Sequence, residues 1–156
     1  MADTGKAKEF LINWIKGHIK NRDLMARSIE SVEDNKNGFD VYVKHKDKEQ
    51  FVIAIPIIED INEILSKLQN KDGVYTIVTF NTHKNFKALL NNWDTLAEFS
   101  SLNMFFVNPF SNTDKRWIIY PYTHNRICDK ASLSKGLKSM FDMVDPISEE
   151  EIKKQF

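Results

Sequence analysis

The sequence is poor in several residue types on which whole classes of protein depend. It contains 1 cysteine, 5 glycines and 4 prolines among 156 residues. The single cysteine, Cys128, cannot form an internal disulfide and cannot alone supply a cysteine-rich zinc site. The glycines do not stand at the spacing of a Walker or dinucleotide-binding motif, in which backbone N–H groups cradle phosphate. These absences argue against a disulfide-stabilised scaffold and against the glycine-loop nucleotide enzymes.

The chain also lacks an excess of charge of either sign. Its 22 lysines and arginines balance 22 aspartates and glutamates, so the formal net charge is +0. A protein that holds DNA by bulk charge needs a basic excess, although a local basic patch remains compatible with this balance. The first residues form no apolar signal segment, and no apolar run approaches the length of a bilayer. We therefore expect a cytoplasmic protein with no membrane partner.

Apolar residues are plentiful. Hydrophobic residues make up 42% of the chain and aromatic residues 12%, which is enough for a full core. The length predicts a single domain over residues 1–156, with its core at about 7–144 and a short C-terminal helix at 148–156.

The hydrophobic periodicity predicts alternating helices and strands. The first helix has apolar residues at helical spacing, among them Ala7, Leu11 and Ile15. A turn is expected at 34–38, Asn81 or Thr82 should cap the third helix, and Gly73 should end the second. The predicted order, by residue number, is helix 7–19, strands 24–32, 39–44 and 51–58, helix 60–70, strand 74–80, a helix reaching about 97, strands 104–107 and 117–122, and helices 131–144 and 148–156. This order indicates an α/β protein with a mixed central sheet flanked by helices on both faces.

The opening helix, three-strand meander, helix and fourth strand resemble the restriction-endonuclease-like superfamily, the PD-(D/E)-x-K nucleases. The stretch Gly-Phe-Asp-Val-Tyr-Val at 38–43 is similar to the segment in which that family carries an aspartate near the start of its second strand. The strand 74–80, the helix after it and the strand 104–107 resemble the recombination-nuclease branch. The resemblance covers about residues 7 to 108. It implies a restriction-endonuclease-like fold and a metal ligand at Asp40.

The second half of the family motif is missing. On the third strand, Ala54 stands where the resemblance requires an acid and Pro56 where it requires a lysine. Two carboxylates hold the magnesium ion in such a site, and the lysine stabilises developing charge. Asp40 supplies one hard ligand, so the resemblance implies a vestigial site without a cofactor. Asp40 has an equally simple alternative as a turn-closing residue after Gly38.

A displaced acid is the enzymatic alternative. Glu59 lies at the end of the third strand, while Glu63 and Lys67 are four residues apart on the next helix. Together with Asp40 they would rebuild a magnesium site for a DNA or RNA nuclease. The competing interpretation is an ordinary exposed helical pair at a favourable spacing.

A second candidate site is basic and aromatic. If the strand beginning near Trp117 stays extended, its alternate residues share one face, and tyrosines beside cations can stack bases and pair phosphates. The alternative is a half-buried strand whose tyrosines cover the core edge or a dimer contact. The candidate nucleic-acid-binding residues are Lys115, Arg116, Tyr120, Tyr122, His124 and Arg126.

The sequence therefore predicts a nuclease-fold protein that has lost catalysis and serves as a nucleic-acid-binding or protein-assembly module. The family it resembles often pairs through exposed helices or edge strands, so the resemblance also implies a homodimer. Two alternatives stay open. One is the magnesium-dependent nuclease, and the other is a small homodimeric interaction protein with no nucleic-acid role.

Overall fold

The computed structural model describes residues 5–68 and 73–156. These residues form a six-stranded sheet whose strands lie side by side in sequence order. The strands are β1 (Ile29–Lys36), β2 (Phe39–His45), β3 (Glu49–Ala54), β4 (Gly73–Phe80), β5 (Leu102–Val107) and β6 (Arg116–Ile119).

The sheet is mixed, as predicted. Strands β1, β2 and β3 form an antiparallel meander, β3, β4 and β5 run parallel, and β6 is antiparallel to β5. Short turns suffice for the antiparallel neighbours, whereas each parallel pair needs a crossover with a helix. The amino ends of the three parallel strands therefore lie at one edge of the sheet, and their carboxyl ends lie at the other.

Helices connect and cover the strands. The α-helices are α1 (Gly5–Arg22), α2 (Ile61–Leu65), α3 (His83–Asn91), α4 (Trp93–Leu96), α5 (Pro121–Ile127), α6 (Leu133–Asp142) and α7 (Glu149–Gln155), with a 3₁₀ turn at Lys130–Ser132. No helix in these described ranges is both long enough and apolar enough to cross a bilayer.

Two apolar cores confirm the prediction of helices on both faces. On one face Leu11 and Ile15 of α1 belong to the same buried cluster as Val78 of β4. On the other face Leu89 of α3 and Phe141 of α6 belong to a second cluster. The alternating side chains of the central strands feed both cores, which explains why these strands are almost wholly apolar.

The predicted first strand, 24–32, is displaced toward the C-terminus. Residues 23–28 form a loop around the Asp23 carboxylate, which accepts the backbone N–H groups of Ser28 and Ile29 at 3.0 and 2.9 Å. Strand β1 then extends to Lys36, and the predicted turn at 34–38 shortens to Asn37 and Gly38. Both turn residues have positive φ, 54° and 82°, as an Asn-Gly hairpin turn requires.

The predicted strand 117–122 ends early, at Ile119. Pro121 begins α5, since a proline is favoured in the first turn of a helix and cannot donate to a sheet. Tyr122, His124 and Arg126 consequently lie on a helix, and the extended row proposed for them is wrong.

Other boundaries differ near α2. The predicted helix 60–70 contains the five residues of α2, and positions 69–72 lie outside the described residues. Gly73 begins β4 instead of ending a helix; a Cβ there would stand 2.8 Å from Cε2 of Phe51. Thr82, not Asn81, caps α3, and the predicted C-terminal helix begins with a capping box between Ser148 and Glu151.

Candidate functional site

Asp40 lies beside Ala54, the two positions that the nuclease resemblance pairs. Its Oδ2 accepts the backbone N–H of Ala54 at 2.8 Å, and its Oδ1 lies 3.1 Å from Nζ of Lys8 on α1. The side chain of Asp40 is 14% exposed. The carboxylate that would bind a metal thus pairs with an ammonium group and a backbone donor.

The other predicted catalytic residues have different surroundings. Glu59 receives two hydrogen bonds from Nζ of Lys84, at 3.0 and 2.9 Å, and this contact raises the pKa of Lys84. Glu63 is an exposed residue of α2, and Lys67 lines a hollow below β2 and β3. Among the residues that the structure describes, no group of three or more His, Cys, Asp or Glu side chains is arranged to hold a metal ion.

The basic and aromatic candidates divide between β6 and the segment after it. Arg116 of β6 is exposed, whereas Nζ of Lys115 donates to the carbonyl groups of Pro109 and Ser111, at 3.2 and 3.0 Å. Lys115 therefore holds its own loop, and Arg116 remains available to a ligand.

On α5 the candidates point in different directions. The Arg126 Nη1 donates to the hydroxyl of Tyr122 at 2.7 Å, with the guanidinium carbon 5.3 Å from the ring centre. Tyr120, just before the helix, is 47% exposed. His124 instead meets Trp93 edge-on, and its Nε2 is buried without a partner among the described residues. The helix thus separates His124 from the Tyr122 and Arg126 pair.

A cleft that the sequence analysis did not anticipate lies at the amino ends of the parallel strands. Gln50, Thr76 and Asn103 stand near the starts of β3, β4 and β5, and His45 ends the neighbouring strand β2. All four lie on the sheet face covered by α1. Together with α1 and the loop 23–28, His45, Gln50 and Asn103 border a cavity of about 310 Å³. We call this the amino-end cleft, defined by His18, Asp23, Ser28, His45, Gln50 and Asn103.

Hydrogen bonds link one side of this cleft to the sheet. Ser28 Oγ donates to Asp23 and lies 3.0 Å from Nδ1 of His45. The His45 Nε2 lies 3.2 Å from Oε1 of Gln50, whose Nε2 donates to Thr76 Oγ1 at 3.0 Å. These contacts fix the loop and lower the pKa of Asp23, chiefly through the Ser28 hydroxyl.

The direction of these bonds matters for chemistry. In a hydrolytic triad the serine gives its proton to the histidine, and the carboxylate orients that histidine. Here Ser28 donates its hydroxyl proton to Asp23, so that proton is not donated to Nδ1 of His45. The arrangement therefore holds Ser28 in place without activating it as a nucleophile.

The opposite side of the cleft has polar atoms without partners. Oδ1 of Asn103 and Nε2 of His18 are buried and make no hydrogen bond to any described residue. Burial, together with the positive charges of Arg116 and Arg22, lowers the pKa of His18 to about 4, so its ring is neutral at pH 7. Because an unpaired buried polar atom is costly, this side of the cleft is suited to a ligand.

The carboxyl-end edge also buries polar groups, and these are paired. The Nδ2 atom of Asn85 lies 2.8–2.9 Å from oxygen atoms of Pro56, Thr79 and Phe80, and its Oδ1 accepts the N–H of Ile58 at 2.8 Å. Asn85 therefore joins the end of β4 to the chain leaving β3.

Asn81 makes a similar junction. Its Oδ1 accepts from Nε1 of Trp117 at 2.8 Å, and its Nδ2 donates to carbonyl groups of Phe141 and Val144. We call Asn81, Asn85 and Thr79 the carboxyl-end cluster. Its hydrogen bonds give it a structural role.

The amino-end cleft had a signal in the sequence. Gln50, Thr76 and Asn103 each stand two residues before an apolar residue that faces α1, namely Val52, Val78 and Phe105. Thr76 pairs with Asn103, whereas Gln50 pairs with Val74 and lies two residues away in the register on the same face. A polar residue near the start of each of three consecutive parallel strands therefore predicts a polar patch at their amino ends.

No protein-family model, curated protein or solved structure matches the chain. The geometry of these sites is therefore the basis on which a function is assigned.

Proposed function

We propose that this protein is a restriction-endonuclease-like domain that has lost catalysis and binds nucleic acid. The order of α1, the meander β1–β3, α2 and β4 supports the fold assignment, because it is the order on which the resemblance is based. The position of Asp40 beside Ala54 supports it further, since these are the residues that the family motif brings together.

The surroundings of Asp40 support the loss of catalysis. A magnesium site for phosphodiester hydrolysis needs at least two hard oxygen ligands and a route to the scissile phosphate. Asp40 instead forms an ion pair with Lys8, and the positions for the second acid and the lysine are Ala54 and Pro56. A lysine that neutralises the carboxylate weakens its attraction for a cation.

The observation that carries the binding role is the cationic and aromatic surface around α5. Arg126 contacts the Tyr122 ring and Tyr120 is half exposed just before the helix, while Arg116 is exposed at the other end of β6. Neither arginine forms an ion pair with a described carboxylate. Proteins that bind single-stranded nucleic acids stack the bases on aromatic rings and pair the phosphates with guanidinium groups.

Fluorescence anisotropy with labelled single- and double-stranded DNA and RNA tests the proposal. We expect the double variant Arg116→Gln/Arg126→Gln to bind about tenfold more weakly and to lower the salt slope by about two. The control is Lys153→Gln/Lys154→Gln on α7, which removes the same charge and should change the affinity less than twofold. Equal losses in both variants would mean that only net charge matters and would contradict a defined surface.

The same samples test the enzymatic alternative. Cleavage in Mg²⁺ that disappears in Asp40→Ala would overturn the loss of catalysis and favour a site built with Glu59 or Glu63 and Lys67. We expect no Mg²⁺-dependent cleavage above that of the Asp40→Ala variant.

One surface favours the protein-assembly alternative. Phe86 and Leu90 of α3 form the apolar floor of a groove against α6, and lysines rim it, among them Lys87 and Lys135. That combination suits an acidic amphipathic helix of a partner protein. Failure of every nucleic acid to bind, together with binding of an acidic helical peptide that Lys87→Glu/Lys135→Glu abolishes, would favour this alternative. Self-association as a homodimer remains a further proposal, which sedimentation of the intact protein would test.

A further inference from the structure

The amino-end cleft combines three features that together define a ligand class. It has a buried acceptor without a donor, exposed cations at its rim, and aromatic side chains in its wall. Each feature limits the chemistry of a molecule that would fill about 310 Å³, a volume at the lower end of small-molecule sites.

The first feature is Oδ1 of Asn103. Asn103 is 9% exposed, and this oxygen has no hydrogen-bond partner among the described residues. A carbonyl oxygen accepts and does not donate, so the ligand must bring an N–H or O–H group. Nε2 of His18, also buried and unpartnered, offers a second contact on the same side.

The second feature is the charge at the rim. Arg22 and Lys48 border the cleft, and Arg116 is close enough to act on His18 electrostatically. None of the three cations pairs with a carboxylate among the residues that the structure describes. The Asp23 carboxylate also lines the cleft, but it already accepts hydrogen bonds from Ser28 and Ile29, so the cations are the charges there without a partner and favour an anionic molecule whose donor to Asn103 is neutral.

The third feature is aromatic. Phe105 and the neutral ring of His18 meet edge-on at 5.1 Å in the wall, and the half-exposed ring of Tyr120 lies at the mouth. A flat heterocycle can stack on Tyr120, whereas a sugar phosphate gains nothing from that ring. A neutral N–H donor, a flat ring and a phosphate occur together in a nucleotide.

We propose that the amino-end cleft binds one nucleotide unit, with a base N–H group donated to Oδ1 of Asn103 and the phosphate facing Arg22 and Lys48 at the rim. The inference rests on the proposed nucleic-acid role but is narrower, because it assigns a pocket for one unpaired base beside the α5 surface. The same chemistry comes from one residue of a single strand or from a free nucleotide.

Binding measurements with two sets of probes separate these sources. The first set is single-stranded homopolymer octanucleotides, and the second is free nucleoside 5′-monophosphates with ribose 5-phosphate as the baseless probe. We expect Asn103→Ala to weaken the octanucleotides about tenfold. The control Asn13→Ala, at an exposed position of α1, should leave binding unchanged. Asn103→Ser and His18→Gln repeat the test with smaller changes if Asn103→Ala does not fold.

The outcomes are distinct. If octanucleotides bind and Asn103→Ala weakens that binding, both the cleft and the nucleic-acid role are supported. If free nucleotides bind and Asn103→Ala weakens that binding, while octanucleotides do not bind, the cleft is supported and the nucleic-acid role is overturned. Octanucleotide binding that depends on Arg126 but not on Asn103 overturns the cleft alone. Ribose 5-phosphate that binds as well as the nucleotides overturns base recognition, and the absence of any binding overturns both proposals.

Discussion

The two edges of the sheet both bury polar side chains, but they use them differently. In the carboxyl-end cluster, Asn81 and Asn85 make hydrogen bonds with both side-chain atoms, and those bonds join segments far apart in sequence. At the amino-end cleft, His45 and Gln50 are hydrogen-bonded. The buried atoms Oδ1 of Asn103 and Nε2 of His18 have no hydrogen-bond partner among the described residues.

This contrast separates polar groups that hold the fold from polar groups that await a partner. A satisfied buried amide contributes to stability, and its removal leaves several backbone groups unpaired. An unsatisfied amide costs stability in the free protein, so its presence needs a different reason. Degree of pairing, more than burial, is therefore the better guide to function in this molecule.

The largest expected effect is the difference in stability between two separate Asn→Ala variants, one at each edge of the sheet. Asn85→Ala would leave the N–H of Ile58 without its partner and would remove one of the two donors to each of the carbonyl groups of Pro56 and Phe80, so we expect it to lower the free energy of unfolding by about 2–3 kcal/mol. Asn103→Ala removes an unpaired acceptor and should cost less than about 1 kcal/mol. Urea denaturation of both variants measures the difference. Equal losses in the free energy of unfolding would contradict this contrast between the two edges, because they would give Asn103 a structural role.

An intermediate effect should appear as a pH dependence. The pKa of His18 is about 4 in the folded protein against 6.5 for a free side chain, so the unfolded chain binds the proton more tightly. The contribution of His18 to the free energy of unfolding should therefore fall as the pH drops from 6.5 to about 4 and then level off. The shift sets an upper limit of about 3 kcal/mol, which partial solvent exposure reduces to about 1–2 kcal/mol.

The variant His18→Gln isolates this contribution. In this variant, the free energy of unfolding at pH 7 should exceed that at pH 4.5 by less than it does in the unmodified chain. Asp23, whose lowered pKa acts below 3.8, does not titrate in this interval. An unchanged pH profile in His18→Gln would show that the ring is solvated and would remove one unpaired group from the cleft.

The smallest effect is expected at Asp40. Asp40→Asn keeps an acceptor for the N–H of Ala54 but loses the ion pair with Lys8, so we expect a loss of about 1 kcal/mol. Lys8→Met should give a similar loss, measured by urea denaturation. If Mg²⁺ instead stabilises the unmodified chain and not Asp40→Asn, Asp40 is a metal ligand. It would then form a third site, in addition to the amino-end cleft and the carboxyl-end cluster.

Much of the fold follows from local patterns in the sequence. The apolar runs at β3, β4 and β5 predict central strands, and the capping box at Ser148 predicts the start of α7. The errors lie where a single contact outweighs periodicity. The Asp23 carboxylate converts an alternating stretch into a loop, and Pro121 turns an apparent strand into a helix.

The candidate sites were harder to predict because they depend on distant pairings. The family resemblance pairs Asp40 with Ala54, but it does not show that Lys8, 32 positions earlier, takes the free carboxylate oxygen. Likewise, Gln50, Thr76 and Asn103 become a patch only when three separate strands are set in register. The arginine and tyrosine positions were proposed from alternation along a predicted strand, whose second half is the helix α5.

The sequential order of the strands has a consequence for how the chain is made. Each new strand pairs with the one synthesised just before it, so the sheet can grow from its first hairpin as the chain leaves the ribosome. The last step is different: Phe141 and Val144 must return to Asn81, across 60 and 63 positions. A nascent chain stopped before this return would have most of its sheet but would leave Asn81 without those two carbonyl partners, and protease sensitivity of stalled chains would record when that closure occurs.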